Sequence, residues 1–280
     1  MVDLPQELVD IILEDFVGHK DLKACALTAR AFLPSSQRGL FRRMSLRWES
    51  QSQRRRQGSS GRVGPAFRWE LRFLCENPHL ALYVRDLTLD IPKSDADQST
   101  LEAVLRLLGN LERVAINGYG RMWDELLGSL ASAILTTISL PSLRRVHLRR
   151  LTNVPHSVIF HAATSVRVLS LNRIVPQRHG DIPHDVPPNT NLEHLILPWS
   201  LTTGTLLQLC EFLLTAQDLR RLSVNAGYHF ALATASSAHL RYLEVDFGGA
   251  LLICISHKSL TPTQDRPNHL ICHCSQSSRA

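Results

Sequence analysis

The sequence predicts an α/β protein in which a small N-terminal three-helix unit is followed by a solenoid of short parallel strands, with helices and loops on the convex side. Two observations predict this fold. Residues 4–46 show helical apolar spacing with start and stop signals, and a short apolar motif recurs seven times after residue 82. Periods in the twenties are typical of solenoids. We therefore divide the chain into a helical unit (3–46), an Arg/Ser/Gly-rich linker (47–66), a repeat domain (67–249) and an irregular, poorly ordered tail (250–280).

The helical unit is expected to contain three helices. Pro5 and Glu7 suit the first turn of the first helix, Gly18 is expected to end it, Asp21 to cap the second helix and Pro34 to begin the third. The first helix carries the apolar residues Leu8, Val9, Ile11, Ile12, Leu13 and Phe16. They cover more of its circumference than the single apolar face with which a helix usually packs on a core. Because a unit of ~40 residues cannot bury so much apolar surface by itself, we expect a partner.

The order of residues in this unit resembles an F-box, in the form common among fungal F-box proteins. The matching stretches are Leu4-Pro5-x-Glu7-Leu8, Asp21-Leu22-x-x-Cys25-x-Leu27, Arg30-x-Phe32 and Leu40-Phe41-Arg42. The resemblance implies that the unit docks on the small adaptor subunit of an SCF ubiquitin ligase, and through that adaptor on the cullin. The adaptor-facing and motif-core residues it implies are Leu4, Pro5, Leu8, Ile11, Ile12, Leu22, Cys25, Leu27, Phe32, Leu40 and Phe41.

Seven segments of the form x-Φ-x-x-Φ-x-Φ, where Φ is apolar, follow the linker. They begin at Tyr83, Asn110, Ser142, Ser165, Asn191, Asp218 and His239. The last two apolar positions alternate with outward residues, which predicts a short strand in each segment. Helices are expected over 67–75, 101–108, 122–138 and 206–214, and an extended loop over 173–189.

These segments resemble leucine-rich repeats over about residues 82–247. In that family an asparagine usually lies three positions after the third apolar residue, and here that position is occupied by Tyr119, Leu151, Ile174 and Ser200, among others. A repeat array presents outward strand residues that suit protein recognition. The candidates for target contact are Arg145, His147, Arg167, His194, Arg221 and Tyr242. Their basic bias favours an acidic or phosphorylated target, whereas an ordinary solvated polar surface explains the same residues without a partner.

Together these features predict the non-catalytic, substrate-recognition subunit of an SCF-type ubiquitin ligase, with an unknown target protein. No P-loop, dinucleotide fingerprint, HExxH or GxSxG motif occurs, so no catalytic residues and no cofactor are predicted. A non-ligase scaffold built on the same repeats is the first alternative. A basic nucleic-acid-binding protein is the weaker one, because the formal charge of +6 comes mostly from arginines scattered through the repeats.

The composition predicts an intracellular protein of the cytoplasm, the nucleus or both. The N-terminus lacks an apolar signal run, and no span approaches the ~18 apolar residues of a membrane helix, so no membrane partner is expected. Buried reduced thiols are the expected state of Cys25, Cys75 and Cys210. No metal site is predicted, because the spacing of the His/Cys residues in the tail matches no zinc finger.

Overall fold

The computed structural model of the chain describes residues 5–15, 18–47, 66–177, 191–197, 220–225, 242–246, 250–255 and 271–276. Within them the fold is mixed α/β, with eight α-helices and a largely parallel set of strands. Leu4, most of the predicted linker and the predicted helix over 206–214 lie outside the described residues. The chain divides into two compact units, residues 1–115 with 126–143 and residues 116–125 with 144–280.

The first unit holds most of the helices. They are α1 Gln6–Asp15, α2 His19–Thr28, α3 Leu33–Phe41, α4 Ala66–Glu76, α5 Pro78–Ala81, α6 Asp95–Leu107 and α7 Gly128–Ile138, with a 3-10 turn at Arg30–Phe32. Three N-terminal helices are therefore present, as predicted. Gly18, however, is the N-cap residue of α2 and its carbonyl accepts the first backbone hydrogen bonds, whereas Asp21 lies inside the first turn.

Strands β1 Arg43–Leu46 and β2 Asp86–Asp90 also belong to the first unit. They pair in parallel, with Arg43 opposite Asp86 and Leu46 opposite Leu89. Helix α3 leads directly into β1, a strand that the sequence analysis did not predict because these residues were assigned to the helical motif. The core of this part is formed by fully buried leucines and isoleucines of strands and helices, including Leu46, Leu71, Leu87, Leu101, Leu130 and Ile134.

The second unit is built mainly from strands. Strand β3 Arg113–Met122 begins in the first unit and its later residues belong to the second. The other strands are β4 Arg145–Val154, β5 Val168–Asn172, β6 Val175–Pro176, β7 His194–Leu197, β8 Arg221–Asn225, β9 Tyr242–Asp246, β10 Ala250–Ile255 and β11 Ile271–Gln276. A 3-10 turn at Trp123–Glu125 and helix α8 His156–Ser165 complete the unit.

Each of the seven predicted segments contains a strand, and each strand begins at the fourth residue of its segment. The parallel order β4-β5-β7-β8-β9 keeps equivalent residues in register, with Arg145 opposite Val168, Val168 opposite His194, His194 opposite Arg221, and Arg221 opposite Tyr242. The last apolar positions of these strands, such as Leu148, are buried where their side chains are described. The period of the sequence is therefore the period of the sheet.

Three regions differ from the prediction. The tail was expected to be irregular, but Ala250–Ile255 pairs antiparallel with both β9 and Ile271–Gln276. Helix α8 was not predicted, although its residues Val158, Ile159 and Phe160 are buried. The loop expected over 173–189 contains the short strand β6, paired with β4, in its described part.

Candidate functional site

The three N-terminal helices enclose a small apolar core. Val9 and Leu13 of α1 and Leu22 of α2 are buried, and Cys25, Phe32 and Leu40 pack against them. Four of the predicted adaptor-binding residues, Leu22, Cys25, Phe32 and Leu40, therefore hold the helices together. The sequence could not separate these core residues from surface residues, because a wide apolar arc does not tell which side is covered.

A second set of predicted adaptor-binding residues is exposed. Leu8, Ile11 and Ile12 expose 47%, 51% and 46% of their surface, and Leu27 on α2 exposes 90%. The spacing of Leu8, Ile11 and Ile12 puts them on one side of α1, and we call these three residues the α1 apolar face. Pro5 is exposed just before α1. Exposed apolar clusters of this kind mark interaction sites.

Phe41 has a different role. Its ring stacks on Phe73 of α4 with centroids 6.0 Å apart, and Phe73 in turn stacks on Trp69 at 5.2 Å. Phe41 is half-buried, while Trp69 is exposed. This predicted adaptor-binding residue thus packs α3 against α4 and joins the helical unit to the helix that follows it.

A polar network fastens α1 to α3 on the side of α1 away from the apolar face. The buried Ser35 hydroxyl donates to Asp10, Gln6 Nε2 donates to Ser35 Oγ at 3.1 Å, and Arg38 Nη1 lies 3.2 Å from Asp10 Oδ2. The hydrogen bond from Ser35, followed by those from Gln6 and the charge of Arg38, lowers the pKa of Asp10 below its ordinary value. The network fixes the orientation of α1 and with it the direction of the α1 apolar face.

The parallel strands bring most of the predicted target-binding residues together. Arg145, His194, Arg221 and Tyr242 occupy one row of equivalent register positions, interrupted by Val168, and we call this row the basic row. Arg145 and Arg221 are exposed and His194 is half-buried. These residues are far apart in the sequence, and the strand register places them in one row, with His194, Arg221 and Tyr242 on adjacent strands.

Polar contacts order parts of this surface. His194 Nε2 lies 3.0 Å from the hydroxyl of Ser223, two residues beyond Arg221 on β8. Arg167 lies one residue before the basic row, 3.7 Å from the carboxylate of Glu193. His147 lies two residues beyond Arg145 and is half-buried, opposite Ser170 in the register. The charge of Arg167 is thus partly neutralised by Glu193.

An eighth segment, not predicted from the sequence, precedes the other seven. Residues 40–46, Leu-Phe-Arg-Arg-Met-Ser-Leu, have the same x-Φ-x-x-Φ-x-Φ form, and β1 begins at its fourth residue, opposite the fourth residue of the next segment. The carbonyl of its third residue, Arg42, accepts the N–H groups of Arg85 and Asp86 at 2.9 Å. Equivalent carbonyls of Arg85, Arg144, Arg167 and Glu193 accept pairs of N–H groups in the same way. The pattern itself would have revealed this segment had it not overlapped the helical motif.

No group of three His, Cys, Asp or Glu side chains that could hold a metal ion occurs in the part of the chain that the structure describes. The same described residues include no helix with the length and hydropathy needed to span a bilayer. No model of a known protein family matches the chain, and no curated protein matches its sequence. The α1 apolar face and the basic row are therefore the two candidate binding surfaces of the described residues.

Proposed function

We propose that this chain is the substrate-recognition subunit of an SCF-type ubiquitin ligase, with its N-terminal helices acting as an F-box and its strand array as leucine-rich repeats. The observation that carries the proposal is the α1 apolar face. Leu8, Ile11 and Ile12 remain about half exposed although Val9 and Leu13 of the same helix are buried. One apolar side of α1 is covered by the core of the helical unit. The second apolar side is exposed and is therefore suited to binding a partner.

The energetics of such docking are consistent with a specific contact. Full burial of a leucine or isoleucine side chain contributes about 1.5–3 kcal/mol, so covering the exposed half of each residue of the α1 apolar face contributes about 1 kcal/mol. An adaptor that covers the three residues of the α1 apolar face therefore gains about 3 kcal/mol from them, enough for them to act as the centre of an interface. Leu27 on α2, which is 90% exposed, is a further apolar side chain open to a partner.

The strand array is the proposed target-binding part. Equivalent residues stay in register from β4 to β9, so outward positions form continuous rows that can change without disturbing the buried positions. Arg145 and Arg221 lie in the basic row, and guanidinium groups bind carboxylates and phosphates through paired hydrogen bonds. We therefore propose that the target presents an acidic or phosphorylated segment.

In this proposal the chain contributes proximity and orientation, and the covalent chemistry belongs to other subunits. The adaptor and the cullin hold the ubiquitin-transfer machinery, while the repeats raise the local concentration of the target beside it. Within the first unit, only Arg42 separates α3 from β1, and β1 pairs with β2, so the proposed adaptor-binding helices lead straight into the first two strands.

Co-expression of the full chain with the adaptor and the cullin tests the proposal. The wild-type chain is expected to copurify with both in stoichiometric amounts, and Leu8→Asp to lose both, because the new carboxylate would be desolvated in an apolar contact. Ala103→Asp, at an exposed position of α6, is the matched control and is expected to copurify normally. A correctly folded wild-type chain that retains neither subunit would favour the non-ligase scaffold instead.

A further inference from the structure

A cavity of about 520 Å³ lies within the first unit, at the end where strands β1, β2 and β3 begin. Its lining includes three arginines, Arg38 of α3, Arg42 just after α3 and Arg85 just before β2, and one carboxylate, Glu112 just before β3. Ligand sites for small molecules have volumes of about 300–1,000 Å³. The cavity thus has the size of a small-molecule site and an excess of positive charge.

The repeat geometry explains why these groups converge. Arg42, Arg85 and Glu112 are the third residues of three successive segments, and the carbonyls of Arg42 and Arg85 each accept two N–H groups from the next segment. This hydrogen bonding fixes the backbone at the cavity. Arg38 is one helical turn before Arg42, so both arginines lie on the same side of the chain as it leaves α3.

The guanidinium groups differ in how they are held. Arg85 Nη1 donates to the carbonyl of Asn110 at 3.1 Å, which orients that side chain and leaves its other N–H donors for further bonds. Arg38 already shares the carboxylate of Asp10. Arg42 is exposed and has no ion pair with any residue that the structure describes. Among the three arginines of the cavity, Arg42 is therefore the one best able to form an ion pair with a ligand.

We propose that this cavity, which we call the arginine cavity, binds a small anion that carries two or more phosphate groups. Arginine forks match phosphate oxygens with paired hydrogen bonds, and several guanidinium groups around one cavity suit a polyanion better than a single carboxylate. The carboxylate of Glu112 repels an anionic ligand and so weakens its binding. Removal of this carboxylate should strengthen binding. The proposal does not depend on adaptor docking.

Calorimetric titration of the full chain with inorganic pyrophosphate at fixed ionic strength tests the proposal. Arg42→Gln is expected to weaken pyrophosphate binding about tenfold or more, as the loss of a hydrogen bond to a charged group predicts. Arg106→Gln is the matched control: it removes the same charge from an exposed position of α6, where Arg106 pairs with Glu102 and does not line the cavity, and it should bind pyrophosphate as the wild type does. Glu112→Gln should bind more tightly.

Two results would overturn the proposal. One is the absence of pyrophosphate binding by the folded wild-type chain. The other is equal weakening in Arg42→Gln and Arg106→Gln, which would mean that pyrophosphate responds only to net charge. Circular dichroism of each variant without ligand verifies that it is folded, and a chloride titration to the same ionic strength separates binding from a general salt effect.

Discussion

Replacement of Gly118 by alanine tests the close packing between neighbouring strands of the second unit. A Cβ at Gly118, which lies in β3, would overlap the side chain of Leu151 and lie 2.8 Å from the carbonyl oxygen of Arg150. Leu151 is fully buried, and Arg150 has a positive φ of 50°. Because a backbone oxygen is one of the obstacles, a side-chain rotation alone cannot make room for the methyl group.

The expected magnitude follows from two opposing terms. Overpacking of this kind costs about 1–3 kcal/mol, while the reduced freedom of alanine in the unfolded chain recovers about 0.4–1 kcal/mol. We therefore expect Gly118→Ala to lower the free energy of unfolding by about 1–2 kcal/mol. Gly109→Ala is the matched control, since no heavy atom lies within 4 Å of its Cβ position and its φ is not positive. That variant should gain about 0.4–1 kcal/mol.

Urea unfolding of the full chain, followed by circular dichroism, compares the two variants with the wild type. We expect the urea midpoint to fall in Gly118→Ala and to rise in Gly109→Ala. A Gly118→Ala protein as stable as the wild type would refute the close approach of Gly118 to Leu151 and Arg150. Equal destabilisation by both variants would show that glycine replacement in general, and not this contact, lowers the stability.

Three further outcomes are expected. The pKa of Asp10 is lowered mainly by the Ser35 hydrogen bond, so its stabilising contribution is complete above about pH 4 and is lost as the pH falls through the lower folded-state pKa. Asp10→Asn should remove this part of the acid-unfolding curve, and an unchanged curve would contradict the network. Neither ring nitrogen of the buried His156 has a hydrogen-bond partner among the described residues, so His156→Leu should raise the free energy of unfolding by about 1 kcal/mol in urea titrations; a loss of that size would contradict this view. Leu22→Ala should cost about 2–5 kcal/mol because Leu22 is a core residue, whereas Leu8→Ala should leave the melting temperature nearly unchanged; equal losses would contradict the division between core and exposed face.

Local rules account for much of the fold. Alternation of apolar and outward residues locates the strands at Arg145, His194 and Arg221, because a strand side chain changes sides at every residue. The rule failed at β1, since the apolar residues of 40–46 also fit the helical motif. It failed at α8 because β-branched Val158 and Ile159 have low helix propensity, and burial overrides that preference.

Less of the candidate site than of the fold could be predicted from the sequence, because the site depends on tertiary packing. The sequence identified the apolar residues of the helical unit, but only packing shows that Leu22 is covered and that Leu8 is not. Similarly, Arg145 and Arg221 are distant in sequence, and strand register places them in one row. The arginine cavity could not be predicted from the sequence. It depends on the eighth segment, in which Arg42 occupies the same position before β1 as Arg85 occupies before β2.

Direct titration of the full chain with a purified complex of adaptor and cullin tests the central claim most directly. The account predicts one-to-one binding by the wild type, at least tenfold weaker binding by Leu8→Asp, and wild-type affinity for Ala103→Asp. A folded wild-type chain that does not bind the complex, or a Leu8→Asp variant that binds as well as the wild type, would contradict it.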